Sequence, residues 1–96
     1  MKTLSSAMID SIESNASPKG TWVILAESYG KFRPAERITF YEYAGTFYSV
    51  IDRLGYRAKT LVYQYDSREE GNLHFTRMKL ESTMIGNIFR KDERSR

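Results

Sequence analysis

Cysteine is absent from the 96-residue sequence, and histidine, tryptophan and proline are scarce. Without cysteine the chain cannot form a disulfide, a zinc finger or a thiol nucleophile. Because small secreted domains usually depend on disulfides, this absence favours a cytoplasmic location. His74 is the single histidine, which excludes a histidine-based metal cluster. We expect no metal ion and no other cofactor.

Long hydrophobic runs are missing as well. The longest apolar stretch is Trp22–Ala26, far shorter than the roughly 20 residues that cross a membrane as a helix. Ser5, Ser6 and Asp10 interrupt the apolar residues near the start of the chain, so we expect no signal peptide. The sequence predicts no association with a membrane.

Catalytic signatures are also lacking. The sequence has no Gly-rich phosphate-binding motif, and no acidic residue stands two positions before a lysine, a pattern common in metal-dependent nucleases. Arg68 and His74 have a spacing seen in some small ribonucleases, where a cation and an imidazole serve phosphodiester cleavage. Two residues make a loose match, and a structural histidine between Leu73 and Phe75 is the simpler interpretation. We therefore predict that the protein is not an enzyme and has no catalytic residues.

Aromatic residues, by contrast, are abundant, with one Trp, seven Tyr and five Phe. Fifteen basic residues against twelve acidic ones give a net charge of +3. The excess lies in residues 71–96, which hold six basic and three acidic residues. A chain of this length fits one domain, so we expect residues 1–96 to form a single small, mildly basic domain.

The first third of the sequence predicts a helix and then a strand. Apolar residues at every fourth position predict an amphipathic helix over Thr3–Asn15. A loop is expected over residues 14–20, where Pro18 and Gly20 occur. The β-branched and aromatic residues that follow favour a strand over Thr21–Tyr29, although Trp22 and its apolar neighbours also have helical spacing.

Residues 34–54 allow two interpretations. Arg37–Tyr43 has the composition of a strand, which would pair with Thr21–Tyr29 through a turn at residues 30–34. Gly45 disfavours a continuous helix, so we predict a break there and a short helix over Phe47–Leu54. Alternatively, apolar residues between Phe40 and Leu54 share one helical face and the whole segment is one helix.

The rest of the sequence predicts a hairpin and a last helix. Apolar and polar residues alternate in Thr60–Tyr65 and in Leu73–Leu80, and a polar loop separates the two segments. This pattern is typical of a β-hairpin. Ser82 or Thr83 can cap a final helix that ends near Phe89. Residues 90–96 hold four cations and two acids, and we expect a flexible basic tail there.

Together these elements predict an α+β fold of order α-β-β-α-β-β-α. It would contain a small antiparallel sheet of about four strands with helices on one face. If residues 34–54 form one helix, the element order becomes that of a winged-helix domain, with the hairpin as its wing. That alternative depends on element order alone.

Cations alternate with rings in three short segments. Aromatic rings stack on bases while nearby Arg and Lys neutralise phosphates, so these segments predict a nucleic-acid interface. The candidate contact residues are Tyr29, Lys31, Phe32, Arg33, Tyr56, Arg57, Lys59, Arg77 and Lys79. Lys31, Arg33, Arg57, Lys59, Arg77 and Lys79 would form part of one face, with Arg77 and Lys79 pointing the same way from a strand.

A partner protein is the alternative ligand. Tyr and Arg, both frequent in this chain, are enriched at the centres of protein interfaces. A small domain without catalytic groups can also act as a regulator or inhibitor by covering a partner's surface. An exposed edge such as Thr60–Tyr65 could pair with such a partner or with a second copy, so a homodimer is possible.

Overall fold

The computed structural model describes residues 1–55 and 58–92, which form a sheet and two α-helices. The elements in chain order are β1 (Lys2–Leu4), α1 (Ile9–Asn15), β2 (Ser17–Ser28), β3 (Lys31–Tyr43), β4 (Thr46–Arg53), β5 (Lys59–Tyr65), α2 (Arg68–Met84) and β6 (Ile88–Lys91). A short 3-10 turn, Ser6–Met8, precedes α1.

Within the described residues, the sheet has six strands in the order β1-β5-β4-β3-β2-β6, and each neighbouring pair is antiparallel. The central four strands form a meander, in which each strand pairs with the next along the chain. The terminal strands close the two edges: β1 pairs with β5, and β6 pairs with β2.

Two tight turns join the strands of the β2–β3 and β3–β4 hairpins. Tyr29 and Gly30 join β2 to β3, and both have positive φ values, 53° and 78°. Ala44 and Gly45 join β3 to β4 with φ values of 52° and 80°. Two successive positive φ values are typical of a type I′ turn, whose twist matches that of the paired strands.

The two α-helices lie on opposite faces of the sheet. Ile12 of α1 and Ala16, which directly follows this helix, pack with Val62 and Tyr41. On α2, Met78 packs against the cluster that contains Leu61 and Phe40. Because neighbouring residues of a strand point to opposite faces, Val62 and Leu61 place the helices on different sides. The sheet is thus buried on both faces, and the adjacent residues Val50 and Ile51 are both buried.

The prediction of an α+β fold with an antiparallel sheet is confirmed. The predicted number of four strands and the placement of helices on one face are wrong. The main reason lies in residues 46–53, where β4 replaces the short helix predicted over Phe47–Leu54. Apolar spacing resembled a helix there because helices cover both sides of this strand. The winged-helix alternative is wrong for the same reason, since residues 34–54 contain two strands.

The strand predicted over Leu73–Leu80 is also wrong, because these residues belong to α2. Their alternation came from apolar residues on both sides of a helix, with Phe75 and Met78 toward the sheet and Leu73 and Leu80 toward solvent. Ser67 caps α2 by accepting a hydrogen bond from the backbone N–H of Glu70 at 3.1 Å. This Ser-x-x-Glu pattern is a helix-start signal that the sequence contained.

The ends of the chain differ from the predictions as well. The helix predicted over Thr3–Asn15 is shorter, because its first residues form β1 and the 3-10 turn. The predicted final helix does not form, because its first residues end α2 and its last ones begin β6. At the start of the predicted tail, Arg90 and Lys91 pair with β2. Asp92 donates its backbone N–H to Thr21, and its carboxylate pairs with Arg37 at 3.3 Å. Residues 93–96 of the predicted tail lie outside the described residues.

Candidate functional site

The end of the β2–β3 hairpin extends beyond the strands on either side of it. β4 pairs with β3 only as far as Glu36, and β6 pairs with β2 only as far as Leu25. Within the described part of the chain, residues 26–33 therefore form a two-stranded ribbon, which we call the β2–β3 ribbon. The molecule is accordingly elongated, 43 Å long and 25 Å in the other two directions.

Four of the predicted contact residues lie on this ribbon. Tyr29 stands at its tip with a fully exposed side chain, and Lys31, Phe32 and Arg33 follow on β3, all exposed. Lys31 and Arg33 point away from Phe32, because strand side chains alternate. The sequence prediction therefore identified two cations and two aromatic rings that lie together at an exposed tip.

The two ribbon cations project toward the α2 side of the sheet. Trp22 contacts α2 through Phe75, which places every second residue of β2 from Trp22 to Ser28 on that side. Lys31 pairs with Ser28 and Arg33 with Ala26, so they share this side. The register shifts between Ile24 and Leu25, because β3 has an extra residue, Ala35, between their partners Glu36 and Pro34. The alternation of side chains along β2 is therefore unchanged.

A further predicted cation, Lys59, lies at the same end and on the same side. It pairs with Arg53, which in turn pairs with Glu36. Cross-strand partners lie on the same face of the sheet. Lys59 is two residues from Leu61 on β5, and Leu61 packs on the α2 side, so the row formed by Lys59, Arg53 and Glu36 lies on that side too. The Arg53 Nε atom lies 3.2 Å from the Glu36 carboxylate, so part of the positive charge in this row is neutralised.

The other predicted contact residues lie away from this group or outside the described residues. Tyr56 and Arg57 lie outside the described residues. Arg77 and Lys79 are exposed on α2 rather than on a strand. Residues i and i+2 of an α-helix are about 200° apart around its axis. The side chains of Arg77 and Lys79 therefore point in nearly opposite directions, not in the same direction as they would on a strand. The single face predicted for six cations is therefore reduced to Lys31, Arg33 and Lys59 among the described ones.

Comparison of the chain with known protein families, characterised proteins and solved structures gave no significant match.

An aromatic cleft of about 450 Å³ opens between the start of α2 and the sheet. Its wall includes Trp22, Phe40 and Phe75, whose rings contact one another edge to face at centroid distances of 4.9 to 5.7 Å. The guanidinium carbon of Arg68 lies 5.3 Å from the centre of the Phe47 ring at the cleft. This cleft was missed by the sequence analysis, because its rings come from five separate elements.

A buried chain of polar groups lies under α2. The Ser49 and Tyr65 hydroxyl oxygens are 2.7 Å apart, and the Tyr65 hydroxyl also contacts Nδ1 of His74. Burial raises the pKa of Tyr65 to about 12. Burial, followed by the charge of Arg77, lowers the pKa of His74 below its usual 6.5. The imidazole is therefore neutral at physiological pH, and each of these buried or partly buried groups has a partner.

Arg68 and His74 do not converge on one point. Arg68 lines the aromatic cleft, whereas His74 lines a second cleft of about 350 Å³ farther along α2. The ring of His74 also contacts Tyr63 edge to face, at a centroid distance of 5.3 Å. In residues 1–55 and 58–92, no cluster of His, Asp and Glu side chains is arranged to hold a metal ion. None of the helices in these ranges combines the length and apolar character needed to cross a membrane.

The outer side of α2 carries an apolar stripe. Leu73, Leu80 and Met84 are spaced seven and four residues apart, so they align on one side of the helix. Their side chains are 63%, 59% and 78% exposed. His74, Phe75 and Met78 occupy the opposite side, toward the sheet. Once Arg68–Met84 is recognised as a helix, the sequence itself reveals this stripe.

Proposed function

We propose that the protein is a non-catalytic binding module that contacts nucleic acid through the β2–β3 ribbon. The observation that supports this proposal is the exposed ribbon tip, where the ring of Tyr29 and the cations Lys31 and Arg33 extend beyond the body of the sheet. A two-stranded ribbon fits the major groove of a duplex, and an exposed tyrosine can stack on an unpaired base.

Charge supports the same assignment. Lys59 lies on the side of the sheet toward which Lys31 and Arg33 point, and at the same end. None of these three cations forms an ion pair within residues 1–55 and 58–92. Phosphate oxygens can therefore neutralise them without breaking an internal pair.

The backbone of the turn at the tip also supports the proposal. Positive φ is disfavoured for Tyr, and Asn is the usual residue at the first position of such a turn. The side chain of Tyr29 is fully exposed and contributes nothing to the core. A residue that is locally unfavourable and structurally dispensable is consistent with a contact role.

Fluorescence anisotropy with labelled single-stranded and duplex oligonucleotides over a salt series tests the proposal. If three cations contact phosphates, the log–log salt slope on duplex should be roughly −3. Lys31→Glu with Arg33→Glu should reduce its magnitude by about 2. The matched control is Lys2→Glu with Lys79→Glu, which makes the same charge change elsewhere and should have a much smaller effect. Equal effects of the two double variants would contradict a ribbon interface.

Tyr29→Asn separates binding from folding. Asn suits the turn, so stability should be unchanged or slightly higher, while binding to single strands should weaken by about tenfold through lost stacking. Ala44→Asn makes the corresponding change in the β3–β4 turn and should leave binding unaltered. Undiminished binding by the Tyr29 variant would exclude the ring from the interface.

A further inference from the structure

The apolar stripe on α2, formed by Leu73, Leu80 and Met84, needs an explanation that the ribbon does not provide. These residues are mostly exposed, and they extend from the second turn of the helix to its last residue. Single exposed apolar side chains are ordinary, but an aligned group of large ones usually marks an interaction surface. At the end of the helix, Ile85 and Ile88 extend the exposed apolar area.

We propose that this stripe is a self-association surface, where α2 of one copy packs antiparallel against α2 of a second copy. In this arrangement Leu73 of each protomer lies against Met84 of its partner, and Leu80 lies near the centre of the contact. The apolar side chains then cover one another along the whole stripe.

The charges beside the stripe favour the antiparallel arrangement. Arg77 and Glu81 are both exposed and flank the stripe on the same side, since they are one helical turn apart. The register that places Leu73 against Met84 also places Arg77 beside Glu81 of the partner, and by symmetry Glu81 beside Arg77 of the partner. In a parallel two-fold arrangement the flank that carries Arg77 and Glu81 would instead face the opposite flank of the partner's stripe, so Arg77 would not meet Glu81. The surface is thus complementary to itself in one orientation.

The small size of the stripe sets the expected strength. Stable interfaces bury about 800 Å² on each partner, more than three side chains supply. We therefore expect a reversible monomer–dimer equilibrium rather than a permanent dimer, visible as a concentration-dependent sedimentation coefficient over about a hundredfold range of concentration.

Sedimentation velocity on matched methionine variants tests the location of the interface. Met84→Glu places a charge in the stripe and should weaken association by at least about tenfold. Met8→Glu makes the same change in the 3-10 turn, away from α2, and should sediment like the unmodified protein. Equal association of all three proteins would place the interface elsewhere and overturn the proposal.

Charge exchange tests the orientation. Arg77→Glu alone gives like charges at the contact, and so does Glu81→Arg alone, so each should weaken self-association by about tenfold. Mixed in equal amounts, the two variants restore opposite charges across the interface, and the mixture should associate as well as the unmodified protein. Circular dichroism verifies that both variants are folded. A mixture that associates no better than the separate variants would overturn the antiparallel pairing.

A monomer at all concentrations would also overturn self-association. If the unmodified chain stays monomeric while a different protein binds it and is released by Met84→Glu, the stripe belongs to a heterologous interface instead.

Discussion

The hydroxyl of Tyr65 and the Nδ1 atom of His74 are in hydrogen-bond contact beneath α2, and the same hydroxyl lies 2.7 Å from the Ser49 Oγ atom. Tyr65 and Ser49 are almost completely buried. This contact joins the central sheet to the helix through one phenol oxygen. Removal of the Tyr65 hydroxyl would leave the Ser49 hydroxyl and Nδ1 of His74 without this partner.

Tyr65→Phe should lower the free energy of unfolding by about 1–3 kcal/mol, because the Ser49 hydroxyl would remain buried without a hydrogen bond. Urea denaturation followed by circular dichroism measures the change. Tyr43→Phe is the matched control, since this tyrosine is about half exposed and its loss should cost less than about 0.5 kcal/mol. Equal effects of the two substitutions would show that the buried contact contributes nothing.

His74 should make stability depend on pH below about 6.5. Its pKa in the folded protein is lowered, first by burial and then by Arg77, with Glu81 and Glu70 acting in the opposite direction. The unfolded chain therefore binds a proton at higher pH than the folded one, so stability is complete above the usual pKa of 6.5 and falls as pH decreases through it. Denaturation midpoints of the unmodified protein and His74→Gln, measured between pH 5 and 8, should show a flatter profile for the variant.

The same pKa can be observed directly. A chain with one histidine gives one set of imidazole signals in a proton NMR titration. Arg77→Gln removes a neighbouring positive charge, so the titration of His74 should move to higher pH. A pKa of 6.5 or above in the unmodified protein would contradict the assigned burial.

Gly20→Ala should destabilise the protein by about 1–3 kcal/mol through overpacking. A Cβ atom at this position would lie 2.7 Å from the Trp22 ring, which in turn contacts Phe40 and Phe75. The indole must move, and its edge contacts with these rings are disturbed. Because Trp22 is the sole tryptophan, a shift of the fluorescence emission maximum reports the movement.

Gly71→Ala should have the opposite effect on stability. Gly71 lies inside α2, where glycine is less favourable than alanine by about 0.5–1 kcal/mol. A Cβ atom there would contact Tyr65 at an ordinary 3.6 Å, so no overpacking is expected. The variant should therefore unfold at higher urea concentration. A loss of stability would mean that α2 and Tyr65 are packed more tightly than the distances indicate.

Part of this fold could be predicted from the sequence. Strands with local signals were placed well: β5 differs from the predicted Thr60–Tyr65 by one residue, and β2 includes most of the predicted Thr21–Tyr29. The segment Arg37–Tyr43 was also assigned to a strand, although β3 begins earlier, at Lys31. The ribbon cations were identified because Tyr29 to Arg33 are adjacent in sequence.

The remaining elements depend on contacts that sequence periodicity does not reveal. Apolar residues on both sides of β4 resembled a helix, and apolar residues on both sides of α2 resembled a strand. Two local signals could have corrected this: the Ser67-x-x-Glu70 cap and the Ala44-Gly45 turn. By contrast, the aromatic cleft and the Ser49–Tyr65–His74 contacts join residues distant in sequence, so no local pattern indicates them.

The strand order also has a consequence for the order in which the sheet assembles. Strands β2 to β5 follow one another as hairpins, so their pairing closes only short loops. β1 and β6 must instead find partners far along the chain, as Lys2 does with Gln64 and Ile88 with Leu25. The meander can therefore form early, while the two short edge strands dock late and open first. Their amide protons should exchange with solvent long before those of β3 and β4, so the chain ends have the lowest local stability in the sheet.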